Sequence, residues 1–268
     1  HAVEASGDIY LGEYEGLYCV GCEEFKQQSE LVDGKCVLHQ KEPNTIKEKN
    51  YFFRLTKYRD VLLEYIAKNP EFINPEERRN EVKSYIANFM TDVSISRETM
   101  EWGITVPGNT KHVIYVWFDA LINYLTGVGY GTDDLKFAKF WPADLHLMAK
   151  DNIKFHCALW PAMLMSAGLS LPKKVFAHGY LTIDGAKMSK SLGNAIDPVM
   201  LGQTYGQDTL RYFLLREVPF GHDGDFSVTR MAERYQSDLA NELGNLLHRV
   251  LSMVEKYFEG HVPAMASG

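Results

Sequence analysis

The chain of 268 residues is 46% hydrophobic, enough for a buried core and more than one average domain needs. Lys and Arg number 28 against 35 Asp and Glu, and the net charge of −7 excludes a globally basic nucleic-acid sponge while leaving room for a local basic track. No apolar run approaches the ~18–20 residues of a membrane span, nothing like a secretory signal opens the chain, and four cysteines are too few for a disulfide scaffold.

A reducing, cytoplasmic setting is therefore expected, and His1 in place of an initiator Met suggests a piece of a longer chain. Residues 8–50 alternate apolar, Gly and charged positions, which predicts short strands around a small insertion. Phe52, Leu55, Tyr58, Leu62, Tyr65 and Ile66 carry a helical period from Tyr51 to Ala67, ended by Asn69-Pro70. Glu76 to Asn88 reads as a further helix, and Trp102 to Pro107 as a strand entering a Pro-Gly-Asn turn. The pattern then changes. Val113–Phe118, Leu145–Ala149 and Val175–Ala177 read as buried strands. Asp119 closes the first, helix-like Ala120–Thr126 follows it, and a helix capped by Asp151 and closed at Gly168 follows the second. Apolar strands alternating with helices predict an α/β fold with a parallel, doubly wound sheet, whose ligands sit at the strands' carboxyl ends. Beyond residue 200 the pattern is helical only, with Leu239, Leu243, Leu246, Val250, Val254 and Phe258 on one amphipathic face.

Cys19-Val-Gly-Cys22 and Cys36-Val-Leu-His39 form C-x2-C-x13-C-x2-H, two chelating pairs spaced for a tetrahedral zinc ion. Four protein ligands leave no open position, so the site is expected to be structural. Cys157 stands alone within a helix and reads as a small buried residue. Further on, His178-Gly-Tyr and Asp184-Gly-Ala lead into Lys187-Met-Ser189-Lys190-Ser191-Leu-Gly-Asn194. Two lysines and two hydroxyls between glycines suit a polyphosphate, where ammonium groups can meet charge that develops as phosphates separate.

Lys187–Ser191 reads KMSKS, and the strings HGYLTIDGAKMSKSLGN, YVWFDALINYL and KFHCALWPAML closely resemble the methionyl-tRNA synthetase family of class I aminoacyl-tRNA synthetases. The resemblance spans essentially the whole chain. It implies a connective insertion over residues 1–108 with a zinc knuckle at about 13–42, and the second half of a Rossmann catalytic domain over 109–180. It further implies a KMSKS loop and stem-contact segment over 181–226, then the start of an all-helical anticodon-binding domain over 227–268. The family joins methionine to its cognate tRNA through methionyl-adenylate, using ATP and Mg2+. By resemblance Cys19, Cys22, Cys36 and His39 hold structural Zn2+. The ATP side comprises Asp151, His178, Lys187, Ser189 and Lys190, with Lys187 and Lys190 in the catalytic role and Lys190 leading.

Asn152, His156 and Trp160 lie at i, i+4 and i+8 on one helix face, while Trp117, Ala120, Leu121 and Tyr124 follow the first strand. Both groups are placed to reach one crevice at the sheet edge, where aromatic and apolar surface suits a thioether; pattern alone reads them equally as ordinary core. The resemblance makes them methionine contacts, sets Asp151 near the ribose and amino-acid head, and links Arg97 to amino-acid activation, with a surface ion pair as Arg97's plainer role. Two departures stand out: Ala149 and Asn152 replace the family's usual Gly and branched apolar residue. A third, Leu121, sits where some members have proline. Asn245 and Arg249, at i and i+4, match anticodon-reading positions; planar, hydrogen-bonding side chains suit unstacked bases. A synthetase for another apolar amino acid and a non-catalytic tRNA-binding or zinc-stabilised adaptor are the competing readings. The class's upstream His-Ile-Gly-His element does not occur in these residues. A missing N-terminal catalytic half, in cis or as a second chain, is thus an expected partner beside tRNA, methionine and ATP. The chain alone is expected to be inactive and to expose apolar surface near Val113–Phe118.

Overall fold

A computed structural model describes the chain except residues 22, 23, 27, 29, 30, 38, 99, 101, 184, 189–194 and 263–268, with main chain alone at 14, 15, 24, 25, 46, 186 and 187. It divides into two compact units, His1–Ala177 and His178–Gly268.

The first unit opens with a short helix α1 (Ala2–Ala5) and a long strand β1 (Ile9–Cys19). Three short strands follow, β2 (Glu24–Lys26), β3 (Leu31–Val32) and β4 (Lys35–Cys36), and then β5 (Asn44–Phe53). β1 and β5 form an antiparallel ribbon from Ile9↔Phe53 to Tyr18↔Asn44. β2 pairs with β1 and the later strand at Val93–Ser94 with β5, so the insertion read from the Gly- and charge-rich segment is a ribbon at the centre of a four-stranded sheet, with the β3–β4 hairpin, its arm, between its strands in sequence. The helical period from Tyr51 begins later than expected: β5 runs through Phe53, a 3-10 turn takes Leu55–Tyr58, and helix α2 covers Arg59–Lys68. Asn69 ends it, as its sequence indicates. Strand β6 (Ile73–Asn74) and helix α3 (Glu76–Asn88) come next, then β7 (Val93–Ser94) and β8 (Ser96–Arg97).

The apolar run Val113–Phe118 is a correction to the sequence expectation. Strand β9 (Thr105–Val106) turns into β10 (Asn109–Ile114), which pairs antiparallel with β8 and β9 instead of joining the parallel sheet. Helix α4 (Val116–Ala120) already starts within the run. β8 offers only Ser96 and Arg97 for pairing; Tyr115 N–H still donates to the Ile95 carbonyl at 2.8 Å, and the backbone from Val116 turns to helical bonds. The expected exposure of this run holds at Val116, 61% accessible, while Val113 and Phe118 are buried.

Helices α5 (Asn123–Thr126) and α6 (Asp134–Phe140) lead to β11 (His146–Ala149), a 3-10 turn at Lys150–Asn152, and a helix whose first part is π-helical at Phe155–Leu159 before α7 (Trp160–Ser166). Asp151 lies inside that turn and does not cap it. Strand β12 (Val175–His178) sits between β11 and β6 and runs parallel to β6. The core wraps this sheet: Phe53, Leu62, Ile66, Phe72, Ile73, Val82, Ile86, Trp160 and Val175 are almost wholly buried. Each such large side chain contributes roughly 1.5–3 kcal/mol. Asp8 ties the ribbon's start to this core. Burial opposes its charge, yet hydrogen bonds from Lys57, Tyr58, Ser166 and Ser6 hold its pKa at about 2.

The second unit has strands β13 (Leu181–Ile183) and β14 (Ala186–Lys187) as a hairpin, then helices α8 (Pro198–Tyr205) and α9 (Gln207–Glu217). Strand β15 (Gly224–Phe226) follows, parallel to β13, so the segment after residue 200 is not helical only. α10 (Val228–Arg234), a π-helical stretch at Tyr235–Leu243, and α11 (Gly244–Phe258) complete the described residues. Phe213, Phe226 and Met231 form its small core. Leu243, Leu246, Val250 and Phe258 stand exposed on the amphipathic face read from the sequence.

Candidate active site

Four positions expected to line a pocket are joined with a fifth that pattern reasoning missed. His156 lies in the π-helical stretch, where its Nδ1 meets the Asn152 carbonyl oxygen at 2.9 Å. A carbonyl only accepts, so Nδ1 carries the proton and Nε2 is left to accept from the Tyr124 hydroxyl at 2.8 Å. Trp160, one helical turn on, donates its indole N–H to His146 Nε2 at 3.3 Å. Tyr124 and His146 ring centroids are 4.1 Å apart. Burial pushes both histidines down, His146 to about 4 with the nearby His156 adding to the effect, so both are neutral at pH 7. Burial also raises the Tyr124 phenol, which stays a donor. The result is a buried aromatic box of neutral hydrogen-bonding groups suited to an uncharged, polarizable side chain. The signal for His146 in the sequence was only a lone histidine opening a short apolar strand.

Trp117, in α4, stacks on Phe155 with ring centroids 4.1 Å apart and planes 12° from parallel. Phe155 thus joins Trp117 beside His156, another residue the spacing argument passed over. Leu121 is buried in the core, whereas Ala120 is exposed. Asn152 is half-buried and contributes its backbone carbonyl to the box. Ala149 has φ −72° and ψ 150°, an extended conformation open to any residue, so its extra methyl meets no backbone constraint.

Arg97 is not a surface residue. It is buried, donates to the Ser96 carbonyl at 2.7 Å and the Ser94 hydroxyl at 3.0 Å, and lies over the Tyr115 ring at 4.3 Å. Arg97, Tyr115 and the Asp119 carboxylate line one groove of about 650 Å³. Asp151 is exposed on its turn. Cys157 is fully buried and burial pushes its thiol up, as expected of an inert structural residue.

At the end of the ribbon, Cys19 Sγ and Cys36 Sγ stand 3.8 and 3.9 Å from His39 Nδ1, and the three ligand atoms all lie within 4.8 Å of one another. Tetrahedral zinc, with Zn–S ~2.3 Å and Zn–N ~2.1 Å, sets its ligand atoms ~3.6–3.8 Å apart, so these donors fit the ion. Gly21 passes so close that a Cβ there would stand 2.6 Å from His39 Cδ2, which explains glycine inside the first pair. Cys22 lies outside the described residues.

In the second unit, His178 is exposed with Nδ1 2.8 Å from the Gly179 carbonyl oxygen. A Cβ at Gly179 would come within 2.2 Å of the His222 carbonyl carbon, so that glycine lets two backbones touch. Asp225 Oδ1 accepts from Thr182 Oγ1 at 2.6 Å and Gly185 N at 2.9 Å, fastening the base of the β13–β14 hairpin. The hairpin's second strand ends at Lys187, whose main chain alone is described; Ser189, Lys190 and Ser191 lie outside the described residues. Asn245 and Arg249 are both exposed in the first turns of α11.

The family model described as tRNA synthetases class I (M) matches residues 12–251. The methionine–tRNA ligase of Caldanaerobacter subterraneus subsp. tengcongensis is 56% identical over 97% of this chain, and that of Thermotoga maritima 51% identical over 98%. The chain spans only 41% and 42% of those relatives' lengths. Methionyl-tRNA synthetase of Mycobacterium tuberculosis bound by methionyl-adenylate superposes with a TM-score of 0.89 at 51% identity, over 99% of this chain and 53% of that one. Its apo form gives 0.86 at 48% identity. A match over most of the chain, together with relatives above half identity, settles the kinship: this chain belongs to the class I (M) tRNA synthetase family.

Proposed function

We propose that this chain forms the methionine-binding and lysine-loop portion of a methionine–tRNA ligase, which activates L-methionine with ATP and Mg2+ and passes it to tRNA(Met). The observation that carries this reading is the neutral box of Tyr124, His156, Trp160 and His146, beside the Trp117–Phe155 stack. A thioether has weak acceptor character and high polarizability, and such a box offers it aromatic faces without a charge to desolvate. Leu121, buried in the same core as Trp160, and Ala120 are assigned to the lining of the methionine pocket. Asp151 and Arg97 are assigned to the amino-acid head and ribose, His178, Lys187, Ser189 and Lys190 to ATP, and Asn245 and Arg249 to the anticodon.

The donors at Cys19, Cys36 and His39, completed by Cys22, support a structural zinc that anchors the ribbon's arm. A reducing cytoplasm, the setting proposed for the chain, keeps these cysteines from forming disulfides and leaves them available to the metal. The division proposed is an insertion over 1–108, the second half of a Rossmann domain over 109–180, a loop and stem-contact segment over 181–226, and the beginning of the anticodon domain over 227–268. The His-Ile-Gly-His side of the ATP site is assigned to a segment outside these 268 residues, in cis or on a second chain.

The test is methionine-dependent ATP–pyrophosphate exchange by a protein of the relatives' full length that carries this chain. Exchange that requires methionine is expected; exchange with another amino acid, or none, would overturn the reading. Lys190→Ala should lower kcat roughly 10²–10³-fold while leaving methionine affinity nearly intact, because a loop lysine meets charge that develops in the transition state. The isolated 268-residue chain should be inactive, and mixing with the missing half should restore exchange.

A further inference from the structure

Trp160 is nine-tenths and more buried, so its indole N–H needs an acceptor inside the protein. That acceptor is His146 Nε2, at the first position of β11. The same imidazole lies against the Tyr124 ring at 4.1 Å between centroids. Tyr124 in turn donates to His156 at 2.8 Å. One side chain from the sheet therefore touches two walls of the box, and through Tyr124 it reaches the third. A leucine or phenylalanine at this place would fill the space and leave a buried donor with no acceptor, whereas an imidazole with its proton on Nδ1 does both jobs.

We propose that His146 is a positioning residue for the methionine side chain: it fixes the Trp160 and Tyr124 rotamers from behind, by accepting the indole N–H and by packing against the phenol ring. The role rests on the reading of the box as a methionine pocket. It requires no contact between His146 and the ligand, so removing it should disturb recognition of methionine and not of ATP.

The experiment uses a protein of the relatives' full length carrying this chain, with methionine affinity read by tryptophan fluorescence and by exchange kinetics. His146→Leu should raise the methionine Kd and KM roughly tenfold, the worth of one buried hydrogen bond. The KM for ATP should stay within about twofold, because a merely destabilised enzyme would lose both alike. His146→Gln, which keeps an acceptor near the Nε2 position, should recover most of the loss. Trp160→Phe removes the donor and should cost a similar factor, and the double variant His146→Leu/Trp160→Phe should be no worse than either single change. Equal rises in both KM values, additive losses in the double variant, or no rescue by glutamine would overturn the role. Should His146→Leu fail to fold, Trp160→Phe decides, since an unchanged methionine Kd there rules out the indole bond as the device. Wild-type protein that binds no methionine would overturn the pocket reading as well. Wild-type binding that the variants leave untouched would overturn the positioning role alone.

Discussion

Two clusters of this chain are built around histidine, and they solve opposite problems. In the box, His146 and His156 are buried and neutral, and their hydrogen-bonded ring nitrogens face groups of complementary polarity: a carbonyl oxygen, a phenol and an indole. At the arm, Cys19 and Cys36 turn their sulfurs toward His39 Nδ1 at 3.8 and 3.9 Å, a donor set whose spacing suits a shared cation. The first satisfies its polar groups within the protein, and we propose an uncharged ligand for it; for the second we propose a metal that ties the arm together. A histidine's role is thus read from what faces its nitrogens, and its residue type alone carries little.

The sharpest way to break the comparison is to remove the metal. Cys36→Ser, or exhaustive chelation, should drop the zinc content from one per chain to none and unfold residues 13–42, because structural zinc supplies roughly 10–16 kcal/mol to such a site. Hydrogen exchange should then rise over the arm while β11, β12 and α7 stay protected. Protection lost in both places would mean that the two clusters are one cooperative unit, and zinc-free protein with an ordered arm would end the zinc assignment.

Acid should separate them next. His146 binds its proton at about 4 when folded, below the 6.5 of the free side chain, so between those values the unfolded chain holds more protons. Its contribution is whole above pH 6.5 and is lost as pH falls toward 4, on the order of 3 kcal/mol in all. Denaturant unfolding between pH 7 and 4 should record that loss in the wild type and a shallower slope in His146→Gln. Equal slopes would show that the box does not depend on a neutral imidazole.

The smallest effect is expected at Asn152→Ile. The box uses the backbone carbonyl of this residue, which the substitution keeps, and an apolar side chain suits a thioether. Methionine affinity should hold or rise by less than about tenfold, the range available to one lining change. A loss larger than that would make the amide a required contact.

Much of the scaffold was legible locally. Glu76–Asn88 has the period of a helix and is one, Asn69-Pro70 stops α2 where it should, and β11 and β12 are strands as read, although Leu145 beside β11 and Leu147 within it are exposed and not buried. The failures share a cause. Val113–Phe118 is a run of β-branched and aromatic residues that suits a strand throughout, yet only Val113 and Ile114 find partners on β8, Tyr115 is an extended cap, and Val116–Phe118 are helical. Ile73–Asn74 is too short to announce itself but pairs with β12. His146 and Phe155 lie outside the i, i+4, i+8 row that located Asn152, His156 and Trp160, so neither was visible until strand and helix were packed together.

The sequence by itself determined the chelating spacing of Cys19, Cys22, Cys36 and His39, the lysine loop from Lys187 to Ser191, and the helix face bearing His156 and Trp160. These depend on neighbours a few residues apart, and local geometry fixes how such side chains project. Only the tertiary structure decided that β10 leaves the parallel sheet, that Arg97 is buried over Tyr115, and that His146 stands behind Trp160 and Tyr124. Hydrogen-bond pairing and burial are set by partners distant in the chain, and the polarity that selects those partners is a property of the packed interior.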